Sequence, residues 1–406
     1  MNEIHKRLKS KIESSIQNNT FRHLRLNDGL ADFSSNDYLG LSRSEKLIDK
    51  INSTFSRKVA GATGSRLLSG NSLIFEETEK YLANLFHAEK ALIFNSGYNA
   101  NLGILSSVPG KGDTIIYDEL IHSSLKDGAR LSLAQHLSFR HNDFLHLEKK
   151  IKIAKGNIFV VVESIYSMDG DECKLIDLIS LCEKYGAAII LDEAHSTGTY
   201  GNNGNGIACS LGIQDKIFAR VYTFGKAMGL HGACIAGPTL LINYLINYSR
   251  QFIYTTALPP HAIHAIKQSF EHLGEYIELQ DILNRKIALF KNEVSKSEIK
   301  GLIKSNSAIQ ALVVGNTNLY RTNAQGATSN EPLQVKQNIE DQKFKTKLLA
   351  AKLQEKGFDV RPILSPTVKE GSERLRICLH VHNPDKEIID LVHLLKEGMD
   401  ELKAGQ

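Results

Sequence analysis

The chain has 406 residues, 49 Lys and Arg against 45 Asp and Glu for a formal net charge of +4, and 42% hydrophobic with 23% charged residues. That length exceeds one core and predicts two or three domains, and the composition is that of a soluble globular chain and does not indicate disorder. The nearly balanced charge, with no basic block interleaved with aromatics, gives no nucleic-acid surface, and no run approaches the roughly 18 apolar residues of a membrane span.

Cys173, Cys182, Cys209, Cys234 and Cys378 are odd in number and never spaced as C-x-x-C, which predicts reduced thiols in a cytoplasmic protein and neither a disulfide frame nor a zinc site. At the N-terminus, Ile4, Leu8, Ile12 and Ile16 recur every four residues, one stripe of an amphipathic helix over 2–19 that reads as a packing arm. The polar cluster from Asp32 to Leu41, rich in Ser, Asn and Asp, favours turns. A glycine-punctuated loop over Gly61 to Asn71 precedes a helix from about Leu73 to Phe86.

Five short apolar runs then alternate with helical-length segments: Ala91 to Phe94, Thr114 to Tyr117, Ile158 to Val162, Ala187 to Leu191 and Phe218 to Tyr222. The alternation predicts an α/β domain with a mainly parallel sheet. Each run ends in residues of chemical interest. The first leads to Asn95-Ser96-Gly97-Tyr98-Asn99, where Ser and Gly opening a helix can offer N–H groups to a phosphate. The next three lead to segments holding His122, Ser167, and Asp192 with His195. The fifth delivers Thr223-Phe224-Gly225-Lys226, a single lysine in a crowded turn, and a desolvated lysine loses its proton readily and becomes an amine nucleophile. Ligands bind beyond the carboxyl ends of parallel strands, so these clusters should converge.

Beyond Pro259-Pro260 the character changes to a helical region over His261 to Lys296, a strand at Ile309 to Val314, a helix near Lys343 to Lys356 and a strand at Leu375 to Leu379. This predicts a smaller α+β domain. The expected division is an N-terminal arm over 1–45, a large cofactor-binding domain over 46–258 and a small C-terminal domain over 259–406. Asn316 to Asn338 reads as an irregular loop.

Pyridoxal phosphate chemistry needs a lysine, an acid beside the pyridine nitrogen and a phosphate cradle. Lys226, Asp192, and Ser96-Gly97 with Thr223 supply them, the acid favouring the protonated ring nitrogen. Asp192-Glu193-Ala194-His195 also spells the DEAH box of an NTPase, but no G-x-x-x-x-G-K-[ST] loop precedes it, and Gly201 to Gly206 misses dinucleotide spacing. His261/His264 and His380/His382 lack a third ligand and are read as helix-face and strand-face side chains, with no metal expected.

Nine segments carry a resemblance: SSNDYLGLS (34–42), GATGSRLLSGN (61–71), NSGYNAN (95–101), DELIHSS (118–124), SIYSMDGD (164–171), LDEAHSTG (191–198), TFGKAMGLHGA (223–233), FIYTTALPP (252–260) and RLRICL (374–379). In this order the chain resembles the α-oxoamine synthases, members of the aminotransferase-like, fold type I pyridoxal phosphate enzymes. The resemblance implies that fold, with a large domain built on a mainly parallel sheet and a smaller α+β domain. It also implies a homodimer using pyridoxal 5'-phosphate; that no nucleic-acid or membrane partner is expected follows from the charge pattern and the lack of an apolar span.

By the same resemblance, Lys226 would hold the cofactor and shuttle the substrate α-proton, Asp192 would pair with the pyridinium, and His195 and Ser167 would contact the ring hydroxyl region. His122 would lie on the ring face, Ser96, Gly97, Tyr98 and Thr223 would hold or flank the phosphate, and Thr255 and Thr256 would reach the phosphate of the neighbouring subunit. Arg376 would grip the amino-acid carboxylate with help from Asn36, and Thr367 is a further substrate candidate. The segment before Ser34 is short and offers only Arg22 for the acyl donor; Asn316 to Asn338 matches no family segment. The implied reaction joins an amino acid to an acyl thioester of coenzyme A or acyl carrier protein with loss of CO2, L-alanine and a pimeloyl donor being expected. Sister reactions using glycine or serine with another acyl-CoA stay open, as does a non-catalytic cofactor-binding regulator.

Overall fold

The computed structural model describes residues 2–17, 20–22, 24, 26, 29–56, 59–314 and 333–404, and the side chains of all these but 333–340 and 404. Twelve strands occur among them: β1 (Ala31–Asp32), β2 (Lys90–Phe94), β3 (Thr114–Asp118), β4 (Gln135–Phe139), β5 (Ile158–Glu163), β6 (Ala188–Asp192), β7 (Ala219–Thr223), β8 (Ala233–Gly237), β9 (Ile309–Val313), β10 (Phe358–Asp359), β11 (Arg361–Ile363) and β12 (Arg374–Cys378).

Seven of them form one sheet in the order β2-β8-β7-β6-β5-β3-β4. The pairs from β7 through β4 are parallel, while β8 runs antiparallel to both β2 and β7. Val160, Val161 and Val162 of β5 are wholly buried, as are Ile190 and Leu191 of β6, because helices cover both faces of the sheet. A continuous apolar run is the sequence form of that environment, and it made β2, β3, β5, β6 and β7 predictable to within a residue or two. β4 and β8 were not anticipated. β4 (QHLSF) is a largely exposed edge strand with polar residues, and β8 (ACIAG) is built of small residues straight after a glycine-rich turn.

Helix boundaries follow local chemistry. The helix Gly97–Ser107 starts where the Ser96 Oγ accepts from the Asn99 N–H, and Leu175–Tyr185 ends at Gly186 in the left-handed region, φ 64°. The helical region after Pro259 is two helices, Pro260–Glu275 and Glu278–Lys296, and Pro260 sits at the first position, where no N–H partner is needed. Residues 333–338, expected as loop, begin the helix Leu333–Glu355; polar composition concealed the helical run there, and 316–332 lie outside the described residues.

The C-terminal strands form an antiparallel sheet β11-β12-β9, and β1 pairs in parallel with β10, tying residues 31–32 to 358–359. One core cluster fills the helices around β3, β5 and β6. A second runs from Phe33 and Tyr38 through Phe86, Tyr222 and Phe270 to Leu375 and Leu391. Gly229, at φ 69°, fixes how the lysine turn meets the turn-rich segment: a Cβ there would come within 2.3 Å of the Ser42 nitrogen. No helix among the described residues is long and apolar enough to cross a membrane.

Candidate active site

Strands β5, β6 and β7 end together, in a register that sets Glu163 opposite Asp192 and Asp192 opposite Val221. The turn after β7 then brings Lys226 back over that edge. Of the residues singled out from the sequence, Asn36, Ser96, Gly97, Tyr98, His122, Asp192, His195, Thr223 and Lys226 line one cavity of about 240 Å³.

Asp192 is held by two donors, the Asn101 Nδ2 at 2.7 Å and the Ala194 N–H at 2.8 Å. Asn101 also donates to the Ser124 Oγ at 3.0 Å, and that hydroxyl lies 2.8 Å from the His122 Nδ1, so one chain of contacts orients both the acid and the imidazole. Burial lowers the His122 pKa against the pull of Asp192. Burial also lowers the pKa of the Lys226 amine; Asp192 and Glu163 oppose the shift and the Arg376 guanidinium adds to it. Burial thus favours the neutral amine, the form that a nucleophile or base needs.

Glu163 was not singled out from the sequence, yet it lies in this wall. Its carboxyl accepts from the His122 N–H and from the Ser167 N–H at 3.2 Å, and burial, then the neighbouring Asp192, push its pKa up to about 8. Only the strand register could have revealed it as the neighbour of Asp192.

Arg376 is not in the lining of this cavity and meets it through Asn36. Its Nε donates to the Ser167 carbonyl at 2.7 Å, its Nη1 to the Cys378 Sγ at 2.9 Å and its Nη2 to the Asn36 Oδ1 at 2.9 Å. The Tyr38 hydroxyl, also passed over, lies 3.0 Å from that Oδ1 and 2.8 Å from the His195 Nδ1. Burial, with Lys226 and Arg376 nearby, holds the His195 pKa well below its ordinary value.

At the opposite end, a Cβ on Gly97 would meet the Thr223 Cγ2 at 2.5 Å, so only glycine lets the helix start approach β7 this closely. The Thr223 Oγ1 donates to the Ala194 carbonyl at 3.4 Å, and Tyr98 reaches outward to Asp127 at 2.8 Å. A cradle at a helix N-terminus, an acid fixed by two donors and an amine of lowered pKa form a donor set that fits pyridoxal 5'-phosphate.

Thr255 and Thr256 stand outside this cavity, joined to the chain's own Asn95, whose Nδ2 donates to the Thr255 Oγ1 at 3.1 Å and the Thr256 carbonyl at 2.8 Å. Arg22, Ser167 and Thr367 line a larger neighbouring cavity of about 830 Å³ that shares His122 with the first. Ser167 therefore meets the first site through its backbone, whose carbonyl holds Arg376. In the wall of the larger cavity His141 sits between Asp118 at 3.0 Å and Asp171 at 2.7 Å; burial opposes its charge, but the two acids outweigh it and push the pKa up to about 10.

His380 and His382 do find a third group, which sequence spacing could not reveal, since the ligand atoms of both and of Asp32 lie within 4.8 Å of one another. Asp32 already pairs with Arg43 at 3.0 Å, and the two His380 nitrogens lie 3.0 Å from the Asn383 Oδ1 and 3.1 Å from the Ser35 carbonyl. His264 lies 2.8 Å from the Thr54 Oγ1.

The family model for aminotransferase class I and II matches residues 28–393. Among curated proteins, the 8-amino-7-oxononanoate synthase of Emericella nidulans is 36% identical over 393 residues, 92% of this chain and 90% of that one. A putative 8-amino-7-oxononanoate synthase of Halalkalibacterium halodurans is 36% identical over 368 residues, 90% and 86% of the two chains. Among solved structures, the 8-amino-7-oxononanoate synthase from Francisella tularensis aligns with a TM-score of 0.75 at 27% identity, covering 92% of this chain and 99% of that one. Serine palmitoyltransferase from S. paucimobilis aligns over the whole of both chains with a TM-score of 0.84 at 22% identity, a likeness of fold. The chain belongs to the aminotransferase class I and II family and, within it, to the α-oxoamine synthases.

Proposed function

We propose that the chain is a pyridoxal 5'-phosphate-dependent acyltransferase that condenses L-alanine with a pimeloyl thioester, giving 8-amino-7-oxononanoate, CO2 and free thiol, a step of biotin synthesis. The observation that carries this reading is the pairing, in one cavity, of the Lys226 amine with the two-donor carboxylate of Asp192, beside a larger cavity able to take an acyl chain. The names of the curated relatives support the choice of substrates.

When bound, the cofactor supplies an electron sink for the charge left at the amino-acid Cα. Lys226 would hold it covalently, take the α-proton once freed, and return a proton to the same carbon at the end. Asp192 would keep the ring nitrogen protonated, and His122 would cover the ring face, held by Ser124. His195 would face the ring oxygen. Ser96, Gly97, Tyr98 and Thr223 would receive the phosphate, and Arg376 with Asn36 the amino-acid carboxylate, a bidentate geometry arginine suits. Arg22 and Thr367 would contact the acyl donor.

In the reaction a carbon–carbon bond forms between Cα and the thioester carbonyl and the carbon–sulfur bond breaks, releasing thiol. The carboxylate of the resulting β-keto acid then leaves as CO2, and its place on carbon is taken by a proton. A two-fold homodimer and a cytoplasmic setting belong to the same proposal; five free cysteines and exposed apolar residues near the cradle, Tyr98 and Tyr254 among them, support them.

The test is a panel of amino acids and acyl thioesters scored for free thiol and CO2. Release with alanine and a pimeloyl thioester is expected, and release confined to glycine or serine would transfer the chain to a sister reaction. Borohydride treatment should fix the cofactor to the peptide containing Lys226. A colourless protein that borohydride leaves unlabelled would end the enzyme assignment.

A further inference from the structure

We propose that Tyr38 is a positioning residue that reports occupancy of the amino-acid carboxylate site to His195 by deciding which of its ring nitrogens carries the proton. This deepens the functional reading above and rests on it.

Tyr38 is 1% exposed, and its hydroxyl has three polar neighbours: the His195 Nδ1 at 2.8 Å, the Asn36 Oδ1 at 3.0 Å and the Arg376 Nη2 at 3.5 Å. Arginine has only donors, so the Asn36 atom that meets the Arg376 Nη2 at 2.9 Å is the amide oxygen. The tyrosine proton therefore has two acceptors to choose from, that oxygen and the His195 Nδ1. Given to Asn36, it obliges the Nδ1 to donate, and the Nε2 of His195 is left bare toward the cavity. Given to the Nδ1, it leaves the Nε2 as a donor. The choice is a real one because burial, with the Arg376 guanidinium nearby, keeps the ring neutral.

An entering carboxylate decides between them. To bridge Arg376 and Asn36 it must take the Arg376 donors away from the Asn36 oxygen and needs the amide N–H in its place, so the amide turns end for end. Tyr38 then has no oxygen at Asn36 to donate to, and its proton passes to the His195 Nδ1. The His195 nitrogen that would face the cofactor's ring oxygen therefore changes from acceptor to donor when a carboxylate is seated, and would then stabilise charge on that oxygen.

The experiment uses the holoenzyme labelled with 15N-histidine, with and without propionate, which has the carboxylate and carbon skeleton of alanine but no amine and cannot react. The His195 resonances are identified by their loss in His195→Gln. Propionate should move the proton from Nδ1 to Nε2 in the wild type and should leave the tautomer unchanged in Tyr38→Phe. The same variant should lose about 10-fold in kcat while KM for alanine changes less than about 3-fold, since the carboxylate groups remain. A wild-type His195 that ignores propionate, or a phenylalanine variant that still responds, would overturn the coupling; the first result suffices even if the variant does not fold. A wild type without cofactor absorbance overturns the functional reading too, whereas a coloured, active enzyme with a silent His195 overturns the coupling alone.

Discussion

Lys226 and Glu163 each interact with Asp192 and with one another, and burial drives both toward their neutral forms. For Glu163 the consequence for stability has a definite sign. Its native pKa, about 8, lies above the ordinary 4.5, so between those values the native state binds more protons than the unfolded chain, and stability falls as pH rises through that window. In the cofactor-free protein, Glu163→Gln removes the titration at the cost of one acceptor for the His122 or Ser167 N–H. The difference in unfolding free energy between variant and wild type should therefore move in favour of the variant by a few kcal/mol from pH 5 to pH 9. Denaturant melts at the two pH values measure it, and a pH-independent difference would show that the carboxyl titrates normally. Asp192 carries a sharper expectation: Asp192→Asn should lower turnover by at least about 10²-fold, read as thiol release, and undiminished turnover would remove it from the chemistry. Lys226 and Asp192 could be read in the sequence because a lone lysine in a glycine-rich turn and an acid at a strand end are unusual where they stand. Tyr38, Asn101 and Glu163 could not, since each acts through a contact made across the chain, and Ser124, two residues from His122, gains its role only when Asn101 reaches it. The Tyr38 hydroxyl reaches a histidine 157 residues away.

Elements succeed or fail in prediction according to how they are buried. β5 and β6, covered on both faces, advertise themselves as apolar runs, while β4 shows polar residues at an edge, and β1, β10 and β11 have only two or three residues each. None of these shorter strands could have been separated from loop without its partner. The junction of β7 with the helix Gly97–Ser107 was legible as a Ser-Gly signature, but not its closeness. That closeness is testable. In Gly97→Ala the new methyl meets the Thr223 Cγ2 at 2.5 Å, and the helix start must retreat from the strand. The dissociation constant for pyridoxal 5'-phosphate should rise at least about 10-fold, since the N–H groups lose their aim at the phosphate. Adding Thr223→Ser, which deletes the obstructing methyl and keeps the hydroxyl, should restore much of the affinity. Failure of the double variant to recover would mean that the glycine matters for something other than this contact.

On the scale of the whole molecule, Thr255 and Thr256 test how two copies of the chain would share a site. Within one chain they lie against Asn95, next to that chain's own cradle, while the family resemblance assigns them to the neighbour's phosphate. Apolar surface gathers there: Tyr254 is 71% exposed and Leu68 85%, on a turn whose Gly64 carbonyl accepts from the Ala257 N–H. Such a patch is what a two-fold partner would cover. Mixed dimers separate the two readings. A Lys226→Ala chain has no functional amine, and a chain with Thr255→Ala and Thr256→Ala should hold the cofactor about 10-fold more weakly. If the threonines act across the interface, a hybrid dimer contains one complete site, because the intact Lys226 of the second chain receives intact threonines from the first. If they act within their own chain, every site of the hybrid is defective. Unfolding and refolding the two variants together should therefore give hybrids with about half the wild-type turnover at low cofactor concentration, well above either parent. Hybrids no better than the threonine variant would place both residues in the site of their own chain.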